Sequence, residues 1–292
     1  MFHKGVLMML LSSVLFSIMS AMVKWLSSDH HVSSYIMAVV RFTVGSVAMV
    51  AIFAAGLSEM RWNNWRWIVA RGVSGGLAVV LFFWCIEHIG LGKAVLFSYT
   101  YVIFAALFAV PFLKERITAA HWVCIAVAMI GIVLLCDVKG FAIQANYLLA
   151  ILCGLLSGFA VVCVTKCRST DSSANILWSQ CLFGLVIVAW PATTHWAASP
   201  TLFEWVAMLA IALFATAGQL FMTYAYKYTG ATHGSLLSLL SPVLGTAIGY
   251  LYFKEPLGPT FFVGAALILL ACCYLSFNPV SQAVEEAADL EE

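Results

Sequence analysis

Charge is what this sequence has least of. Only 9% of its 292 residues are Asp, Glu, Lys or Arg, while 63% are hydrophobic; soluble domains carry roughly a quarter charged residues. A water-soluble core could not hide so much apolar surface, so the solvent for most of the chain must be lipid. The formal net charge of +1 excludes an electrostatic nucleic-acid surface. Chemical signatures are missing too. There is no GxxxxGK loop followed by Ser or Thr, no HExxH and no TVGYG filter. The nine cysteines (85, 124, 136, 153, 163, 167, 181, 272 and 273) lie in or beside apolar runs, without a CxxC pair or a histidine at zinc-ligand spacing. They read as small buried hydrophobes, so neither metal nor cofactor is called for. No nucleophile and base share one depth in an apolar run, which argues against an intramembrane enzyme.

What the chain does have is ten apolar runs of roughly 18–24 residues, each long enough to cross about 30 Å of hydrocarbon at about 1.5 Å per residue. They fall near 5–26, 33–56, 67–88, 91–112, 119–137, 146–166, 173–192, 203–226, 231–253 and 259–277. The first could mimic a signal peptide, but nine more follow it, so it reads as a spanning helix. Residues 278–292, ending AVEEAADLEE, read as an acidic solvated tail. With a cytoplasmic N-terminus, nine basic residues fall inside: Lys4, Arg61, Arg66, Arg71, Lys114, Arg116, Lys166, Arg168 and Lys227. Four fall outside: Lys24, Lys93, Lys139 and Lys254. This bias puts both termini, and the tail, on the cytoplasmic side.

Ten spans invite a five-plus-five repeat. Sliding the chain by 140 residues sets GLGKAVLFSYTYVIFAALFAVPFLKE (90–115) on GATHGSLLSLLSPVLGTAIGYLYFKE (230–255). Gly90 meets Gly230, Ser98 meets Ser238, and Lys114-Glu115 meets Lys254-Glu255. A similar offset brings Ser33-Ser34 onto Ser172-Ser173 and Arg41 near Gln180. Five is odd, so the second copy must run inverted through the bilayer. The expected fold is all-α and integral to the membrane: a first five-helix repeat over 1–140, an inverted second over 141–277, and the tail.

The Lys-Glu endings, Arg41 within AVVRF, the stretch FFWCIEHIGLGKAVLFSYTYVIFAALF and SPVLGTAIGYLYFKEPLG resemble the EamA family of the drug/metabolite transporter superfamily. The resemblance spans about residues 5–277. It implies two inverted bundles around a central cavity, the fifth and tenth helices as scaffold, and a bacterial inner-membrane setting. The family usually has a proline near the middle of both repeat helices, as at Pro242; the first copy has Val102 there and Pro111 nine residues later.

Polar groups inside lipid-grade helices point to function, because each costs free energy unless it faces protein or water. Arg41 lies roughly 12 Å from the outer boundary. It could hold a substrate carboxylate or phosphate, or be structural, tied to carbonyls or to Glu87. Gln180 shares its region in the other copy. Thr216, Gln219, Thr223 and Tyr226, at spacings of three, four and three, share one helix face as cavity lining or interhelical glue. Ser238 and Ser241 belong to a small-residue ridge. Tyr101 aligns with Ser241 and projects inward; Tyr99 lies about 200° round an ideal helix, so only one of the two lines a narrow face. The resemblance makes the third and fourth helices walls, adding Trp84. Glu87, Lys114, Glu115, Lys254 and Glu255 read as helix-end anchors or gate contacts. No carboxylate falls at mid-membrane, which favours exchange or facilitated movement over proton coupling. The pattern implies a secondary transporter of a small polar or amphipathic metabolite, an amino acid, related zwitterion or nucleoside-like compound. A nucleotide-sugar exchanger is the narrower alternative and would need more cavity cations than one arginine. A non-transporting scaffold is the third reading. Small molecule and bilayer are the expected partners, and a homo-oligomer is compatible with the pattern.

Overall fold

A computed structural model describes residues 2–136, 145–194, 200–253 and 258–277. No strand occurs among the described residues. The helices are α1 (Phe2–Ser28), α2 (Ser34–Ala54), α3 (Trp65–Ile89), α4 (Leu91–Ser98), α5 (Tyr101–Leu113) and α6 (Ala119–Cys136), then α7 (Ala145–Cys167), α8 (Ser173–Thr194), α9 (Leu202–Leu237), α10 (Leu240–Phe253) and α11 (Pro259–Phe277). Lys254, Glu255, Lys139 and the acidic tail lie outside the described residues.

Eight stretches are long and apolar enough to cross a bilayer, with α4 and α5 counted as one. The 36 residues of α9 would span about 54 Å as a straight helix, far more than the hydrocarbon core. The backbone turns at Gly230 (φ 68°, ψ 178°). Residues up to Thr229 make one pass, and Ala231–Leu237 continue into α10 as the next. With α11, the arrangement fits the ten expected helices.

Two passes, those expected at 91–112 and 231–253, are broken helices. The first breaks at Tyr99–Thr100 and the second at Ser238–Leu239. At both breaks a hydroxyl bonds back three residues. Thr100 Oγ1 donates to the Phe97 carbonyl at 2.6 Å, and Ser238 Oγ to that of Ser235 at 2.6 Å, drawing those acceptors away from the helical ladder. Amides there bond three residues back, as in Thr100 to Phe97 at 3.2 Å and Leu239 to Leu236 at 3.0 Å, the tighter 3₁₀ pattern. Pro242 sits just inside α10, where its missing N–H costs little. Val102 at the matching place in α5 shows that the break needs no proline. Each broken pass is preceded by a glycine in the left-handed region, Gly90 at φ 81° and Gly230 at φ 68°, a conformation that penalises any Cβ.

The outer surface is apolar, as lipid demands: Val186, Trp190, Leu202 and Leu251 are all more than two-thirds exposed. Inside, α1 packs on α9, α3 on α7, α2 on α8 and α6 on α11. Small residues permit close approach. A Cβ on Gly76 would stand 2.9 Å from Gly184 Cα, and one on Gly131 would stand 2.8 Å from the Gly264 carbonyl oxygen. Ser12 Oγ donates to the Gly218 carbonyl and Ser17 Oγ to that of Ser241, both at 2.8 Å, fastening α1 to α9 and α10.

Candidate functional site

The two helix breaks, α1 and the polar faces of α3, α7, α8 and α9 enclose a cavity of about 900 Å³, counting the open space at its mouth. Its walls mix apolar and polar groups, as ligand cavities do. Of the residues singled out from the sequence, Arg41, Tyr99, Tyr101, Gln180, Gln219, Tyr226, Ser238 and Ser241 line it. The expectation that Tyr99 and Tyr101 cannot share a face rests on a continuous helix. The break between them turns both rings inward, 5.6 Å apart centre to centre. Tyr101 reaches across to α9, its hydroxyl hydrogen-bonded to Ser238 Oγ.

Three expected wall residues stand elsewhere. Trp84 stacks on His88 with ring centroids 4.1 Å apart, one turn along α3, and does not reach the cavity. Thr223 is fully buried between helices and does not line it. Thr216 turns its hydroxyl back to the Ala212 carbonyl at 2.7 Å and borders a small side pocket beside Arg41, Gln180 and Gln219.

Arg71 is the residue that sequence reasoning misplaces. Counted with the cytoplasmic-boundary cations, it is instead 3% exposed and faces the cavity. The reason is register: α3 begins at Trp65, so Arg71 is nearly two turns into the helix. The following Gly72, Ser74, Gly75 and Gly76, a run of small residues that leaves room for a long side chain, is the available signal. Arg71 Nη2 donates to Gln180 Oε1 at 2.8 Å, and Gln180 Nε2 to the Gly75 carbonyl at 3.2 Å, so α8 holds the guanidinium by a polar relay. Among the described residues Arg41, 8% exposed, has only Met19 Sδ at 3.5 Å as a hydrogen-bond partner, with the Phe83 ring centre 5.5 Å from its guanidinium carbon. Neither arginine forms an ion pair among the described residues. Glu87, the alternative partner for Arg41, instead accepts from the Ser34 amide at 3.0 Å at the start of α2.

Burying a cation costs several kcal/mol unless something offsets it. Two such cations in one cavity, with no carboxylate among its lining residues, create an electropositive site that favours an anion. No cluster of three or more His, Cys, Asp or Glu able to hold a metal occurs among the described residues.

The helix-end residues at the exit of α5 have structural work. Lys114 adopts the left-handed conformation (φ 57°) that ends the helix. Glu115 then accepts from the Ala231 amide at 2.7 Å, and from the Thr232 amide and hydroxyl at 3.2 and 2.6 Å. It caps the start of the short helical segment beyond Gly230, where a negative charge also meets the positive end of the helix dipole.

Comparison with known proteins agrees with this architecture. The model of the EamA-like transporter family matches the chain twice, over residues 3–136 and 144–277. The chain is 27% identical over 277 residues to the pseudopaline exporter CntI of Pseudomonas aeruginosa, covering 93% of this chain and 95% of that protein. It is 28% identical over 285 residues to an uncharacterized transporter of Helicobacter pylori, covering 91% and 92%. A riboflavin transporter of Brucella anthropi is 23% identical over 263 residues, covering 86% and 91%. A solved crystal structure at 18% identity superposes with a TM-score of 0.79 over 97% of this chain and 99% of its own, a likeness of fold alone.

Proposed function

Because the chain belongs to the EamA-like transporter family, we propose that it is a secondary transporter working by alternating access. Its cargo on this reading is a small polar or amphipathic metabolite, an amino acid, related zwitterion or nucleoside-like compound. The observation that carries the proposal is the cavity: both halves of a lipid-facing bundle contribute polar side chains to one space, Arg41, Arg71 and Tyr101 from the first and Gln180, Gln219 and Ser238 from the second.

The halves are proposed to be inverted copies, residues 1–140 and 141–277, that rock about this cavity. Support comes from the pairing of helices. If α1 corresponds to α7 and α3 to the first pass of α9, then α1 on α9 and α3 on α7 are the same contact made twice. By the same exchange α5 on α7 matches α10 on α1. Gly90 and Gly230, 140 residues apart, share their left-handed backbone. Cytoplasmic termini in a bacterial inner membrane remain the preferred setting; with Arg71 moved to the interior, the basic residues still count eight inside against four outside.

The nucleotide-sugar alternative gains one specific observation, the second cavity arginine. Reconstitution in liposomes tests the transport reading. Saturable uptake of a labelled amino acid, diacid, nucleoside or nucleotide sugar that persists without a pH gradient supports exchange or facilitated movement. Absence of saturable flux for every member of the panel counts against transport.

A further inference from the structure

Resting on the transporter reading above, we infer that the substrate carries two anionic groups, one for each guanidinium of Arg41 and Arg71. Among the described residues the cavity's buried nitrogens without an acceptor can only donate, while its hydroxyls, such as Ser98 and Tyr226, can donate or accept. Arg71 Nε is buried without an acceptor, although Nη2 is held by Gln180. Gln219 Nε2 is likewise buried without an acceptor, in a residue 4% exposed. Arg41 has a thioether where a guanidinium would ordinarily have oxygen. All three are donors, and a guanidinium can do nothing but donate. What they lack is acceptor oxygen.

Gln180 joins the two cations into one site. It bonds Arg71, and it lines both the main cavity and the side pocket with Arg41 and Gln219. A substrate with one carboxylate would satisfy one guanidinium and leave the other uncompensated. An amino-acid zwitterion would also bring an ammonium group to a cavity whose lining contains no carboxylate to receive it. A diacid satisfies both arginines and asks for no anionic partner. Tyr99 and Tyr101 line the same cavity with Phe82 and Phe16, a surface suited to an apolar or aromatic remainder.

The test uses the purified full chain in detergent and a matched pair of probes. N-benzoylglutamate has two carboxylates and one ring; N-benzoylglutamine has the same size and ring with one carboxylate. Calorimetric titration should give the diacid a Kd lower by on the order of ten- to a hundred-fold, the worth of one charge-assisted contact. R41Q and R71Q should each bring that ratio close to one, and R71K should keep part of it. Because the ratio is measured within one folded population, partial misfolding of a variant does not imitate the result. Equal affinities, a ratio untouched by both glutamine variants, or no binding of the diacid would each overturn the inference. Flux is read separately in liposomes. Diacid binding without flux would remove the transport reading and leave the two-anion site standing; flux of neutral compounds without diacid preference would do the reverse.

Discussion

Glu115 grips Thr232 at both its backbone amide (3.2 Å) and its hydroxyl (2.6 Å), so the exit of α5 is fastened to the entry of the segment that leads into α10. With the Ala231 amide at 2.7 Å, one carboxylate satisfies two of the amide donors that a helix start leaves open. The residues belong to opposite halves of the chain, so the contact can hold one end of the cavity shut.

Removing that carboxylate should loosen both the fold and the closure. E115A is expected to cost about 1–2 kcal/mol, read as a lower Tm in detergent, and to reduce flux more than it weakens probe binding. E115Q keeps one acceptor oxygen and should fall between. Flux equal to the parent protein in E115A would exclude a gating role.

The two left-handed glycines make a graded pair. A side chain at either position forces an unfavourable backbone, on the order of 1–2 kcal/mol. At Gly230 the new Cβ would also stand 3.0 Å from Glu115 Oε1, whereas nothing lies within 4 Å of the same position at Gly90. G230A should therefore lower Tm more than G90A, and the double variant E115A/G230A should recover part of the difference. Equal losses in the two single variants would mean that the contact with Glu115 is immaterial.

Gln180 and Gln219 line the same cavity but do different work. Q180L strips Arg71 of its oxygen acceptor and leaves a buried charge-bearing donor unmet, a loss of about 1–3 kcal/mol. Q219L removes a donor that has no partner, so stability should move by about 0.5 kcal/mol or less while substrate affinity falls. Thermal unfolding and titration of N-benzoylglutamate on the same samples separate the two. Matching stability losses would show that Gln219 is also a structural residue.

Tyr101 and Trp84 supply a further contrast. Y101F deletes the hydroxyl that reaches Ser238 and should cost about 0.5–1.5 kcal/mol, with a drop in flux. W84A removes a ring stacked on His88 away from the cavity, so it should lower Tm yet leave the Kd for the probe within about twofold. A larger change in Kd would return Trp84 to the binding wall.

Much of this molecule is legible in the residue order because lipid imposes a coarse rule. Apolar runs of spanning length mark the passes, and Gly90, Gly230 and the Lys-Glu pairs mark where two of them begin and end. Arg41, Gln180 and Gln219 stand out because polarity inside such runs demands a reason. What hydropathy misses depends on one or two residues of register. Arg71 reads as a boundary cation only when the start of α3 is set two residues late. Tyr99 turns away from the interior only if an ideal period runs through a segment that Thr100 interrupts. Trp84 is drawn inward by resemblance, whereas its ring has a nearer partner in His88. Local hydroxyl chemistry and helix phase decide these cases, and neither registers in a count of apolar residues.

The seam between α6 and α11 bears on how such a bundle could rearrange. At Gly131 and Gly264 the two backbones come together with no side chain between them, each glycine pressed against the other's carbonyl. Bulkier side chains border the contact, Ile268 against Gly131 and Leu134 against Gly264, so sliding along the seam would press them into the facing backbone. Turning about the point of contact disturbs far less. In the proposed rocking of the two halves, this pair of missing methyl groups, neither of them lining the chamber, would be a natural place to pivot.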